Sequence, residues 1–303
     1  MDELTLELGR DTLSSATSLV RDVGCVLLRG ALPRKLVLAA GAAVAENAER
    51  LKQMLGREVN DLPLCFAEQQ SSDPDIVGMD GRDLRDFTDP LTFSGMTAAW
   101  FYAGNRNFKR WFWDHGAEFP NLIVGLVARS LLPDLYRSFY QSVPLCSYAH
   151  CAVRYQRSDL EHKSYAFHQD GSYHSRISRD HVGLTTWIPL SDCGRDAPGL
   201  EIYPRALDEI LPVPEGVEAP HLFCDTQTVL ERFGNQLWAP EFSAGDVLVF
   251  SHFVLHRTHI VPGMTRQRQS ADFRVFPGHS VPDYVKKDAG WMFELPRTQP
   301  DVK

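Results

Sequence analysis

The stretch Phe167-His168-Gln169-Asp170 decides how this chain is read. Read as a strand, it puts His168 and Asp170 on one face, because side chains alternate along a strand. An imidazole and a carboxylate on one face are two thirds of a 2-His-1-carboxylate set. That set holds Fe(II) and leaves coordination positions open. The third ligand then has to be a histidine brought in by the fold. His256, in Leu255-His256-Arg257-Thr258, stands 86 positions beyond Asp170. His252 shares its strand parity and His259 lies close by. His256 is preferred because it sits at the far end of its strand, with Thr258 and Arg268 beyond it. His174 follows the motif and reads as a substrate-side base or a partner of the ligands.

Outward from the motif, the second half of the chain is rich in short strands. They are expected at Cys146 to Gln156, Tyr165 to Asp170, Val182 to Leu190, Leu200 to Tyr203, Gly245 to Val254 and Arg268 to Phe276. One helix is expected between them, over Thr226 to Phe233. The first half is helical instead, with helices expected over Thr12 to Val23, Leu36 to Leu55, Thr97 to Asp114, Asn121 to Ser130 and Asp134 to Gln141. Between the first two of these, Gly24 to Gly30 reads as a short buried strand. Asp61 to Phe93 is turn-rich and acidic, in the manner of a lid or a surface loop. The loop Arg157 to Ser164 is a second gate candidate. Helices first and many short strands after predict a mainly β protein with a helical flank. Its core is expected to be a jelly roll. The expected division is one domain over 1–303: flank about 1–143, core about 144–280, tail 281–303.

Along Arg268 to Phe276, the residues Arg268, Ser270, Asp272 and Arg274 share a face. That face is either solvent or the wall of a polar pocket. Arginine offers a planar fork matched to a carboxylate, and a nearby hydroxyl adds a donor. Arg268 with Ser270 is therefore the expected carboxylate anchor, and Arg266 is its competitor. Thr258, two residues after His256, lies on that histidine's face.

Composition narrows the partners. The 303 residues are 44% hydrophobic and 23% charged, with a formal net charge of −8. Lys and Arg form no dense run, so nucleic acid is not an expected partner. The six cysteines include no C-x-x-C pair, which disfavours structural zinc and a disulfide framework. With no apparent signal peptide and no long uncharged apolar run, a cytoplasmic protein without a membrane span is expected.

In order, His168-Gln169-Asp170, VGLTTWIPLSD (182–192), Gly199-Leu200-Glu201 to Pro204, Gly245-Asp246, Leu255-His256-Arg257-Thr258 and Arg268-x-Ser270 form a series. It resembles the phytanoyl-CoA dioxygenase family of Fe(II)- and 2-oxoglutarate-dependent oxygenases. The opening GCVLLRGALPRKLV is similar as well. The resemblance implies a cupin-like double-stranded β-helix and iron bound by His168, Asp170 and His256. It implies 2-oxoglutarate held by Arg268, with Thr258 and Trp187 contributing walls and hydrogen bonds. The implied reaction uses O2 and hydroxylates an aliphatic carbon of a small-molecule or carrier-bound substrate. Asp170 argues against halogenation, because it fills the position a halide would need. Two departures stand out. Ala197-Pro198-Gly199 and Pro204-Arg205-Ala206 replace the segments usual after the tryptophan strand, and Arg268 follows His256 by 12 positions. Arg205 reads as a contact to an anionic substrate or as a surface residue. Two other functions fit the triad: a Zn(II)-dependent hydrolase, which would not need Arg268, and a non-catalytic jelly-roll binding protein.

Overall fold

The computed structural model describes residues 1–42, 126–156, 158, 166–173, 182–215, 223–281 and 292–295. The acidic segment at 61–93, the aromatic stretch at 97–114, most of the 157–164 loop, His174 and most of the tail lie outside the described residues. So does the 36–55 helix beyond residue 42.

The strands that the sequence makes apolar on both faces become the centre of a seven-stranded sheet. It is built from β1 (Thr5–Glu7), β2 (Cys25–Arg29), β3 (Pro144–Gln156), β4 (Leu184–Pro189), β6 (Val247–Ser251), β8 (Arg268–Pro277) and β9 (Met292–Glu294). Their order is β1-β2-β6-β4-β8-β3-β9, antiparallel except for the β1–β2 pair. A second sheet pairs β5 (Gly199–Ala206) with β7 (Val254–His259). The two sheets enclose a jelly roll of the double-stranded β-helix, cupin-like kind, mainly β with a helical flank.

The period-two alternation of each strand divides its residues between two cores. Val26, Leu28, Val247, Val249, Leu184, Ile188, Ala271, Phe273 and Val275 face the helices. These helices are α1 (Leu13–Asp22), α2 (Leu132–Tyr140) and the helix whose described part is 34–42. Two tyrosines pin α2 to the sheet: Tyr136 Oη lies 2.6 Å from Thr186 Oγ1, and Tyr140 Oη donates to the Val275 carbonyl at 2.6 Å. Cys25, Leu27, Trp187, Leu248 and Phe250 face the other way, onto Leu200, Ile202 and Val254 of the second sheet. Runs such as Val247 to Ser251 are therefore buried throughout, which is why they show no polar alternation.

Three expectations change in detail. The run 245–254 is not one strand: it breaks at His252-Phe253 and crosses from β6 in the large sheet to β7 in the small one. β5 does not stop at Pro204 but runs to Ala206, with a register shift after Ile202. Proline is tolerated there because the ladder is already interrupted. Pro133 lies within the first turn of α2, where its missing N–H costs nothing.

Candidate metal centre

His168 and His256 meet because their backbones are direct antiparallel partners. Each N–H donates to the other's carbonyl, at 2.9 and 3.0 Å. Their ring centroids stand 4.2 Å apart. Asp170 arrives differently. The motif is not a strand through its full length: after the single bridge at His168 the chain turns into a 3-10 helix, Asp170–Tyr173. That turn, rather than strand parity, swings the carboxylate beside the two rings.

One ligand atom from each of the three residues lies within 4.8 Å of the others, and all three residues are buried. Asp170 Oδ1 is 3.8 Å from His168 Nε2 and 3.9 Å from His256 Nε2. The Nδ1 atoms are engaged elsewhere, with the Ala166 carbonyl at 2.8 Å and the Val254 carbonyl at 3.1 Å. A carbonyl can only accept, so each Nδ1 carries the proton and each Nε2 turns its lone pair to the centre. This is the outer arrangement that fixes the tautomer of a metal-ligating histidine.

The residues between and before His168, Asp170 and His256 hold them from behind. Phe167 and Leu255, each preceding a histidine, face away and pack against Val229 and Phe233 of α3 (Thr226–Phe233). Gln169 uses all of its amide. It donates to the Glu209 and Phe253 carbonyls at 3.0 and 2.9 Å and accepts from Leu211 N–H at 2.7 Å. Asp225 caps α3 by accepting from Thr228 N–H.

Asp170 is held by both oxygens. Oδ2 accepts from Thr185 Oγ1, and Oδ1 accepts from Arg274 Nη2 at 2.9 Å. Arg274 also donates to Asp272. Burial raises the Asp170 carboxyl pKa. Arg274 and the imidazoles of His256, His252 and His168 outweigh it and hold the group well below the usual carboxylate range. Neither Thr185 nor Arg274 was assigned this role from sequence.

The polar face of β8 is wall, not solvent surface. Arg268, Ser270 and Asp272 are buried, and a cleft beside the triad is lined by Arg268, Asp272 and Arg274 with Trp187, Thr258 and Phe250. Arg268 Nη1 donates to the Gly199 carbonyl at 2.7 Å, and its guanidinium stands 5.5 Å from the Trp187 ring centroid. Trp187 Nε1 and Ser270 Oγ are buried and have no hydrogen-bond partner among the described residues. Each is costly to bury unmet, by about 1–3 kcal/mol. Arg266 is half exposed and paired with Asp196 at 3.1 Å, outside the cleft. His252 is fully buried at the β6–β7 turn against Gly183 and Phe276 and is not among the three converging residues. His259 lies at the far end of β7 near Glu201. Arg205 is exposed to solvent.

This fold is similar to that of solved structures that include EctD and SnoK. EctD from S. alaskensis, determined with 2-oxoglutarate and 5-hydroxyectoine, aligns with a TM-score of 0.51 at 12% identity. The alignment covers 92% of this chain and 81% of that one. The non-heme α-ketoglutarate-dependent carbocyclase SnoK from nogalamycin biosynthesis also aligns with a TM-score of 0.51, at 13% identity over 89% of this chain and 84% of that one. No protein-family model matches the chain, and no curated protein matches it. Among the described residues, no helix is long and apolar enough to cross a membrane.

Proposed function

We propose that this chain is an Fe(II)- and 2-oxoglutarate-dependent oxygenase of the phytanoyl-CoA dioxygenase type, hydroxylating an aliphatic carbon of a small-molecule or carrier-bound substrate. The observation that carries the reading is the triad of His168, Asp170 and His256, both histidines with Nδ1 tied to backbone and Nε2 turned inward. Two imidazoles and one carboxylate suit Fe(II) with open positions. Iron chelated by 2-oxoglutarate supplies the coupling of O2 reduction and oxidative decarboxylation to oxidation of a C–H bond.

The chain's own residues bind and orient. The distal carboxylate of 2-oxoglutarate is assigned to Arg268, whose buried fork lines the cleft. The unmet donors Trp187 Nε1 and Ser270 Oγ fit an anionic or carbonyl oxygen nearby, and Thr258 adds a hydroxyl on the cleft wall. Phe250 and Leu200 on the same wall exclude water from the reacting centre. The fold shared with EctD, which was determined with 2-oxoglutarate, supports this assignment. A cytoplasmic setting belongs to the reading and is in keeping with the buried, reduced thiols of Cys25, Cys193 and Cys224.

The test is an anaerobic titration of metal-free protein with Fe(II) and 2-oxoglutarate, followed in the visible. A weak charge-transfer band requiring both components is expected, and it should vanish in His168→Ala and Asp170→Ala while far-UV circular dichroism is retained. Tight Zn(II) binding without any such band would replace the oxygenase with a hydrolase or binding protein.

A further inference from the structure

We infer that Arg274 and Asp272 are a charge-compensating pair that sets how tightly the triad holds its metal ion, with Arg274 acting through Asp170. The inference rests on the reading of His168, Asp170 and His256 as a metal site.

Asp170 Oδ1 is the carboxylate oxygen nearest both Nε2 atoms, so it is the oxygen that faces a bound ion. The same Oδ1 accepts from Arg274 Nη2 at 2.9 Å. A full positive charge thus sits against the ligand atom, in a buried cleft where charges are weakly screened. Thr185 holds Oδ2, so Arg274 is not needed to orient the carboxylate. Its second amine pairs with Asp272, which is itself buried. Asp272 and Arg274 alternate with Ala271 and Phe273 on β8, which fixes both charges on the site side of the strand.

The charge count follows. Asp170, Arg274 and Asp272 together carry −1, the same as a lone carboxylate. Removing Arg274 would take one positive charge from beside the Asp170 carboxylate, and removing Asp272 would take one negative charge from beside Arg274. Mutating an outer partner of a metal ligand typically costs about 10- to 100-fold in affinity, which sets the scale of the effect. Here the direction is set by charge and differs between the two partners. A merely structural role would weaken binding in every variant.

The experiment is calorimetric titration of the metal-free full chain with Co(II), with the cobalt visible spectrum reporting occupancy of the triad. Arg274→Met is expected to tighten Co(II) binding by about tenfold, and Asp272→Asn to weaken it by about tenfold. Arg274→Lys keeps the charge and should stay within about threefold of wild type. The double variant restores the net −1 and should do the same. Weakening in both single variants, or no change in either, would overturn the inference while wild-type binding leaves the metal site standing. Absence of Co(II) binding in the wild type would remove the metal site and the inference with it. If Arg274→Met fails to fold, the Asp272→Asn and Arg274→Lys arms still decide: equal weakening in both overturns the charge argument.

Discussion

A guanidinium as buried as that of Arg268, at 1% exposure, is an expensive residue to keep in a cleft wall. The Gly199 carbonyl takes one of its donors, and Trp187 lies beside it. Under the oxygenase reading its fork meets the distal carboxylate of 2-oxoglutarate. Truncation to alanine should then raise the 2-oxoglutarate concentration needed for half-maximal chelate formation by about 10- to 100-fold. That is the scale of one charge-assisted hydrogen-bonded pair, about 1.5–3 kcal/mol. Fe(II) or Co(II) affinity should hardly move, because the triad is untouched. Titrating the charge-transfer band in the variant measures both quantities. An unchanged requirement would release Arg268 from the role, and Arg266 is poorly placed to take it over, being tied to Asp196 outside the cleft.

At the scale of elements, Gly24 joins four of them. It ends α1 through Gly24 N–H to the Leu19 carbonyl at 3.0 Å and starts β2, and its carbonyl accepts from Ser251 of β6 at 2.8 Å. Next to it, the Val23 carbonyl accepts from Ala206 of β5 at 2.7 Å. The backbone at Gly24 has φ of +100°, and a Cβ there would come within 2.5 Å of Ala206 Cβ and 2.8 Å of its nitrogen. Gly24→Ala is therefore expected to cost at least about 1–3 kcal/mol, read as a lowered midpoint in urea unfolding. A neutral result would mean that β5 can shift away and that the backbone at position 24 can leave its positive φ at no cost. Most elements of this sandwich could be read from sequence. Strand runs bounded by glycine and proline carry their own punctuation, and α1, α3 and β8 fall within a residue or so of expectation. What failed was continuity. His252 and His256 share parity only if 245–254 extends as one strand, and nothing local to Ser251-His252-Phe253 announces that the chain changes sheets there. The sequence pairs His168 with Asp170 by a strand spacing that the structure replaces with a bridge and a turn. Two residues of separation bring His168 and Asp170 together in either geometry, so the spacing alone does not distinguish a strand from a bridge followed by a turn. Thr185 and Arg274 depend on which strands become neighbours: β4 pairs with β8 so that Thr185 opposes Arg274. Tertiary pairing of that kind leaves no trace in either strand alone.

For the molecule as a whole, the two cores bury thiols as well as hydrocarbon. Cys25 and Cys193 lie in the core between the sheets. Burial, which disfavours the thiolate, pushes the Cys25 thiol up from 9.0 to about 12 and Cys193 likewise to about 12. The linkage has a definite sign. With the folded pKa above the unfolded one, the native state keeps protons that the unfolded chain releases. The stabilisation is fully present below pH 9 and is lost as pH rises from 9 towards 12. Unfolding in urea, measured at intervals from pH 7.5 to 10.5, should show stability flat at first and then falling above 9. Other groups titrate in that range too, so the comparison that isolates the thiols is Cys25→Ala with Cys193→Ala. The double variant begins less stable, because it leaves small cavities, but it should fall less steeply above pH 9. A parallel slope would mean that these thiols already reach solvent in the native state. The same burial predicts that a thiol reagent labels Cys25 and Cys193 in the native protein only as fast as the sheets open. Adding urea below the unfolding midpoint should accelerate labelling in step with the loss of stability.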